Sequence, residues 1–230
     1  MAEHIRSLRT IRSFVRRDSR ITPAQARALA QLWPRYGIPE GPEPLDWPTV
    51  FGRRATVVLE IGFGNGEALA AAAAAHPEND YLGIEVHRPG AGSLLRRLEA
   101  QELGNVRVML ADASEVLAQR IADASLTAVH LFFPDPWPKK RHHKRRLVQP
   151  EFAALVTRKL VTGGFFHLAT DWLPYAEHMV AVLSRTEGLV DASGTALIQK
   201  LVAERLSTRF EQRGRRLGHE VRDLVYLRKA

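Results

Sequence analysis

From residue 56 onward, short apolar runs alternate with stretches whose apolar residues recur at helical spacing. The runs at 57–61, 81–86, 106–110, 126–133, 164–169 and 221–227 read as strands. Between them, 67–75, 92–103, 114–121, 150–160 and 174–184 read as helices, the second of them closed by Gly104. Further helices are expected at 197–206 and 209–217. Ahead of this alternation, Thr22 and Pro23 form a helix start, cap and first-turn proline, for a helix to about residue 33. Residues 37–48 are rich in Pro and Gly and read as an irregular linker. Strand and helix alternating at least five times predicts an α/β fold with a mostly parallel sheet and helices on both faces. Ligands of such sheets bind beyond the carboxyl ends of the strands. The expected organisation is a basic arm at 1–20, an N-terminal helix and linker at 21–55, and one domain at 56–230.

Composition narrows this picture modestly. The hydrophobic fraction of 45% and charged fraction of 25% suit a globular domain. No run approaches the ~18 apolar residues of a membrane span. The absence of cysteine excludes disulfides, thiolate metal sites and cysteine nucleophiles. No apolar segment follows the six arginines of the first twenty residues, so a secretory signal is not expected and a cytoplasmic protein is. The net charge of +8 favours an acidic partner such as nucleic acid. An inert basic surface would give the same figure.

Candidate chemistry sits at the strand ends. Glu60-Ile61-Gly62-Phe63-Gly64-Asn65-Gly66 joins the first strand to its helix. Gly62, Gly64 and Gly66 let the backbone turn tightly and approach a ligand, though a plain tight turn needs them too. The spacing is G-x-G-x-G, not the G-x-G-x-x-G of dinucleotide sites. Glu85 ends the second strand and Asp112 the third. A carboxylate after strand two accepts from ribose hydroxyls. One after strand three accepts from an adenine amino group, and one beside the glycine loop suits an ammonium. Glu60 would repel a pyrophosphate, so the set fits S-adenosylmethionine better than a nicotinamide dinucleotide. The pattern resembles a Rossmann-like class I methyltransferase, a family with a seventh, antiparallel strand that 221–227 would supply.

The fourth strand runs into Phe133-Pro134-Asp135-Pro136-Trp137-Pro138. Prolines preset the loop's φ angles and hold Asp135 in place. Trp137 either stacks on a base or covers the core. Lys139-Lys140-Arg141-His142-His143-Lys144-Arg145-Arg146 then carries six cations and no acid. Its position beside the strand end favours phosphate contacts over a merely solvated loop. Adjacent histidines in a cationic run make poor metal ligands, and no metal is expected.

At these residues the chain resembles the bacterial tRNA (guanine-N7)-methyltransferases. The resemblance covers nearly the whole length. It rests on the segments 11–17, 59–66, 83–87 and 133–146, on Ala169-Thr170-Asp171-Trp172, and on 208–219. It implies cofactor contacts from Glu60, Glu85, Asp112 and Asp135, with Asp135 also catalytic. It implies substrate contacts from Lys139, Asp171, Thr208, Arg209, Phe210 and Glu211. It places Arg141, His142, His143, Lys144, Arg145 and Arg146 on the RNA, and the modified guanine in the tRNA variable loop. The partner is then tRNA, with no membrane or metal, and the protein a monomer or homodimer. Leu206, Arg209 and Arg222 depart from the usual proline, lysine and aromatic, which leaves the geometry near Thr208 open.

Guanine N7 carries a lone pair and no proton, so its methylation needs no general base. The enzyme must position the reactants and offset a growing positive charge. Asp135 and Asp171 suit the second task. Glu211 suits the N1–H and N2–H2 donors that distinguish guanine from adenine. Three rivals remain. One is an amine methyltransferase with a (D/N)-P-P-(Y/F/W) loop, from which the single proline between Asp135 and Trp137 departs. The others are an RNA-binding module with a vestigial cofactor site and a nicotinamide oxidoreductase.

Overall fold

The computed structural model describes residues 13–14, 20–192, 194–205, 211, 218 and 220–230. The expected arm and the segment containing Thr208, Arg209 and Phe210 fall almost wholly outside them. Seven strands form one sheet: β1 (Val57–Ile61), β2 (Asp80–Glu85), β3 (Val106–Leu110), β4 (Leu126–Phe132), β5 (Leu160–Thr170), β6 (Leu189–Asp191) and β7 (Arg222–Arg228). Their order is β3-β2-β1-β4-β5-β7-β6. β1 to β5 run parallel, and β7 lies antiparallel between β5 and β6. The expected class I architecture is what forms.

The eight helices of the described residues are α1 (Pro23–Tyr36), α2 (Trp47–Phe51), α3 (Glu67–Ala75), α4 (Arg88–Ala100), α5 (Ala113–Gln119), α6 (Pro150–Lys159), α7 (Leu173–Leu183) and α8 (Ala196–Glu204). Apolar strand positions alternate between two cores. One face of the sheet packs Leu59, Ile84, Met109, Leu131 and Phe166 against α2, α5, α6 and α7. The other packs Val58, Tyr81, Val108 and Ala128 against α1, α3 and α4. Two-sided burial is why the strands read as near-continuous apolar runs.

Differences from the expected elements have local causes. α1 opens on the Thr22 cap with a full capping box to Gln25, but continues through Pro34 to Tyr36, whose fully buried ring holds the last turn against the sheet. The expected linker carries a short helix into residue 51. Asp46 caps α2 through Thr49 N–H, and left-handed Gly52 ends it. β6 is only three residues long, too short to show a periodicity. Residues 21–55 pack on the domain: α1 lies along α4, and the Ile38 amide donates to Val108 O at 2.9 Å. Arg120 secures this cover by donating to Glu43 O and Pro39 O, both at 2.9 Å.

Candidate active site

The parallel strands bring the glycine loop, Glu85 and Asp112 to one rim. Backbone hydrogen bonds stitch that rim together: Gly62 N–H to Ile84 O at 2.8 Å and Ala111 N–H to Glu85 O at 3.1 Å. Glu85 closes it with its side chain. One oxygen accepts from Gly64 N–H at 2.9 Å; the other accepts from Val86 and His87 N–H at 2.7 and 3.1 Å. A carboxylate has about four lone-pair positions, so roughly one remains for a hydroxyl. Glu85 therefore shapes the loop as much as it receives a ligand. Gly62 and Gly64 have φ of 72° and 57°, which other L residues rarely adopt, and open space where a Cβ would stand. α4 closes the opposite side, where a Cβ on Gly90 would meet the Gly64 carbonyl at 2.2 Å. The result is bare backbone facing outward, ringed by acids.

Glu60 stands on β1 beneath this loop and is 4% exposed. Burial, and then the charge of Glu85, push its carboxyl up to about 8. A cationic ligand beside it would reverse the second effect and offset the first. Asp112 caps α5 by accepting from Ser114 N–H at 2.9 Å. Two cavities of about 300 and 270 Å³ flank the end of β3, the second lined by Asp112, Glu115 and Phe14. An ammonium, ribose hydroxyls and an amino-bearing ring fit this donor-seeking rim. A pyrophosphate does not, because Gly64 N–H is already paired with Glu85 and Glu60 lies beneath the loop.

The other half of the rim is built differently. β4 ends at Phe132, and Phe133 N–H donates to Ala169 O of β5 at 2.8 Å. Phe133 and Trp137 both take positive φ, 52° and 45°, on either side of Pro134-Asp135-Pro136. Each such residue costs about 1–3 kcal/mol and persists only where neighbours enforce it. Asp135 is exposed at the crest of this bend, and Asp171 lies half-buried just past β5. Trp137 donates from Nε1 to Ser13 O at 3.0 Å, so the indole fixes backbone from the N-terminal region.

The basic run forms a 3₁₀ turn, Lys140–Arg145. Lys139, Arg141 and Lys144 are exposed. Arg145 lies over the Trp137 ring at 5.0 Å, and His142 meets that ring edge-on at 5.8 Å. Burial and then the surrounding cations, Arg141 first, push His142 down from its ordinary value. Arg146 departs from the expected RNA contact. It is 3% exposed, donates to Pro136 O at 3.0 Å, and stacks over Tyr175 at 4.9 Å. It joins the proline loop to α7 instead of facing solvent. His143 Nε2 lies 3.2 Å from the Arg146 guanidinium, which likewise commits that ring to the loop's interior.

Glu211 also departs from an open base contact. It is 2% exposed, and Arg205 Nη1 donates to it at 2.7 Å. Arg205 also forks onto Asp223 at 2.9 and 3.1 Å, and His167 Nε2 lies 2.8 Å from the same carboxylate. Burial opposes ionisation of Asp223, but His167 and Arg205 hold its carboxyl below the usual range. Sequence reasoning missed Arg205, Asp223 and His167. Nothing local marks them, since each looks like an ordinary charge at an element's end or inside a strand.

Among the described residues, no group of acids or histidines is arranged to hold a metal ion, and no helix is long and apolar enough to cross a membrane. Residues 54–224 match a family model described as a putative methyltransferase. The chain is 59% identical over 223 residues to a tRNA (guanine-N(7)-)-methyltransferase of Alkalilimnicola ehrlichii, covering 96% of this chain and 94% of that one. It is 53% identical to the protein of the same name from Escherichia coli, over 98% of this chain and 95% of the relative. Among solved structures, a 30S ribosomal A1408 methyltransferase from an uncultured bacterium shares the fold. The TM-score is 0.53 at 12% identity, over 78% of this chain and 91% of that chain.

Proposed function

Because the chain belongs to the tRNA (guanine-N(7)-)-methyltransferase family, we propose that its strand-end rim carries out that family's reaction on a guanine of the tRNA variable loop. The protein transfers a methyl group from S-adenosylmethionine to N7 of guanine in tRNA. The observation that carries the assignment of roles is the junction of two unlike half-sites. An acid-ringed glycine loop meets a strained, proline-framed Asp135 beside a cationic turn.

When bound, the cofactor supplies a methyl group activated by its sulfonium. Glu60 receives the ammonium, Glu85 a ribose hydroxyl, and Asp112 the adenine amino group. Asp135 holds the cofactor's reactive end and offsets charge growing on the guanine, with Asp171 beside it. Neither takes a proton, because N7 has none to give. Glu211 reads the base edge, together with Lys139 and the residues Thr208, Arg209 and Phe210. Arg141, Lys144 and Arg145 contact phosphates, and the indole-packed His142 supports that turn.

The test is to incubate the protein with unmodified tRNA and methyl-labelled cofactor and to map the label. The expected product is 7-methylguanosine at one guanine of the variable loop. Label on an exocyclic amine, on adenine or elsewhere in the tRNA would overturn the reading.

A further inference from the structure

We propose that Arg205 is the positioning residue that locks the catalytic loop and the base-recognising carboxylate into one geometry. It follows α8 directly, and its side chain is 5% exposed. One planar guanidinium makes four kinds of contact. Nε and Nη2 grip both oxygens of Asp223, and Nη1 donates to Glu211. The flat face lies 5.5 Å from the Phe132 ring centre and 5.7 Å from that of Phe133. Those two residues lead straight into Pro134 and Asp135.

The sheet register shows why this matters for the loop. Phe132 aligns with Ala169, and Ala169 with Asp223, so the anchor lies two strands across from the end of β4. Phe133 is held at positive φ by its amide bond to Ala169 and by the guanidinium against its ring. His167 braces Asp223 from the next level of the sheet and touches Phe132 edge-on at 5.0 Å between ring centres. Buried ion clusters of this kind rarely add stability over apolar packing. What they add is a fixed geometry, and here that geometry ends on Asp135 and Glu211. Lysine keeps the charge but has neither the fork nor the flat face.

This inference rests on the roles given above to Asp135 and Glu211. Arg205→Lys and Asp223→Asn, made in the full chain, test it. For each, kcat, cofactor affinity and thermal midpoint are measured. So is the preference for a tRNA bearing guanine over one bearing inosine, which lacks the N2 amino group, at the target position. Arg205→Lys is expected to lose roughly 10- to 100-fold in kcat, the scale of a small misplacement of reacting groups. Cofactor affinity should stay native, and the guanine preference should shrink. Asp223→Asn should move kcat and preference the same way by less. A native kcat and native preference in Arg205→Lys, or in Asp223→Asn if the first fails to fold, overturns the proposal. Parallel loss of cofactor binding and turnover overturns it too, since that marks a general support of the fold. Glu211→Gln separates the two layers. If it keeps the native guanine preference, the reading of Glu211 fails, whereas native turnover in Arg205→Lys defeats the positioning role itself.

Discussion

The rim has two halves that reach order by opposite means. On the side of β1, β2 and β3, Glu85 and Asp112 are held by backbone near them in sequence or on the adjacent strand. Glu85 bonds to Val86 and His87 beside it, and Asp112 to Ser114. On the side of β4, β5 and β7, the geometry depends on partners far away. Arg146 bonds Pro136 and packs on Tyr175, Arg205 joins Phe133 to Asp223, and Trp137 reaches Ser13. The first half presents a shape ready for a small cofactor. The second spends conformational strain and buried charge to aim one carboxylate. A pocket for a molecule of fixed form is built from local turns, while a site that must align two reactants takes tertiary constraint.

The sharpest way to test this division is Asp135→Ala. Turnover should fall by about 100-fold or more, the scale of losing a preorganised electrostatic group. tRNA binding should stay near native by filter or mobility assay. Native turnover would abolish the contrast by removing chemistry from the second half.

The basic turn offers the next largest effect. Reversing Lys144 and Arg145 to glutamate should weaken tRNA binding and lower its salt slope by about two phosphate contacts. Arg146→Met should leave that slope unchanged. It should instead lower the thermal midpoint, because Pro136 O loses a buried donor at a cost of about 1–3 kcal/mol. Equal salt slopes for the two variants would put Arg146 back on the RNA.

The smallest effect belongs to the cofactor half. Glu60 titrates near 8 in the folded chain, above its unfolded value of 4.5. Its stabilising contribution is therefore complete below pH 4.5 and is lost as pH rises toward 8. Cofactor-free protein should lose stability across that interval on this account. Glu60→Gln should decline less over the same range of pH in thermal or denaturant melts. Identical pH profiles would mean that Glu60 is solvated and charged throughout.

Legibility in the sequence followed the same division. Six of the seven strands, the glycine loop and the rim acids Glu60, Glu85 and Asp112 could be read because strand ends and tight turns leave local marks. Thr22-Pro23 and Gly62-Phe63-Gly64 are such marks. β6 was invisible because three residues carry no pattern. The burial of Arg146 was not legible because a cation in a basic run looks the same whether it faces solvent or a proline carbonyl. Arg205 and Asp223 were missed because their pairing joins strand and loop across the sheet, and composition holds no trace of it. Glu211 was singled out by the resemblance, yet its burial against Arg205 was not foreseeable from it.

The placement of β7 has a consequence for the newborn chain. β6 pairs only with β7, and β7 must slide between β5 and a strand already synthesised. The strands and loops of the cofactor half are all synthesised well before the last strand. The other half waits for residues 222–228, because Asp223 arrives with the last strand. Until then Arg205 lacks its Asp223 anchor, and the bend at Phe133 has only its hydrogen bond to Ala169 O. On the proposed roles, the polypeptide therefore acquires a place for its methyl donor before the anchor that aims its catalytic loop.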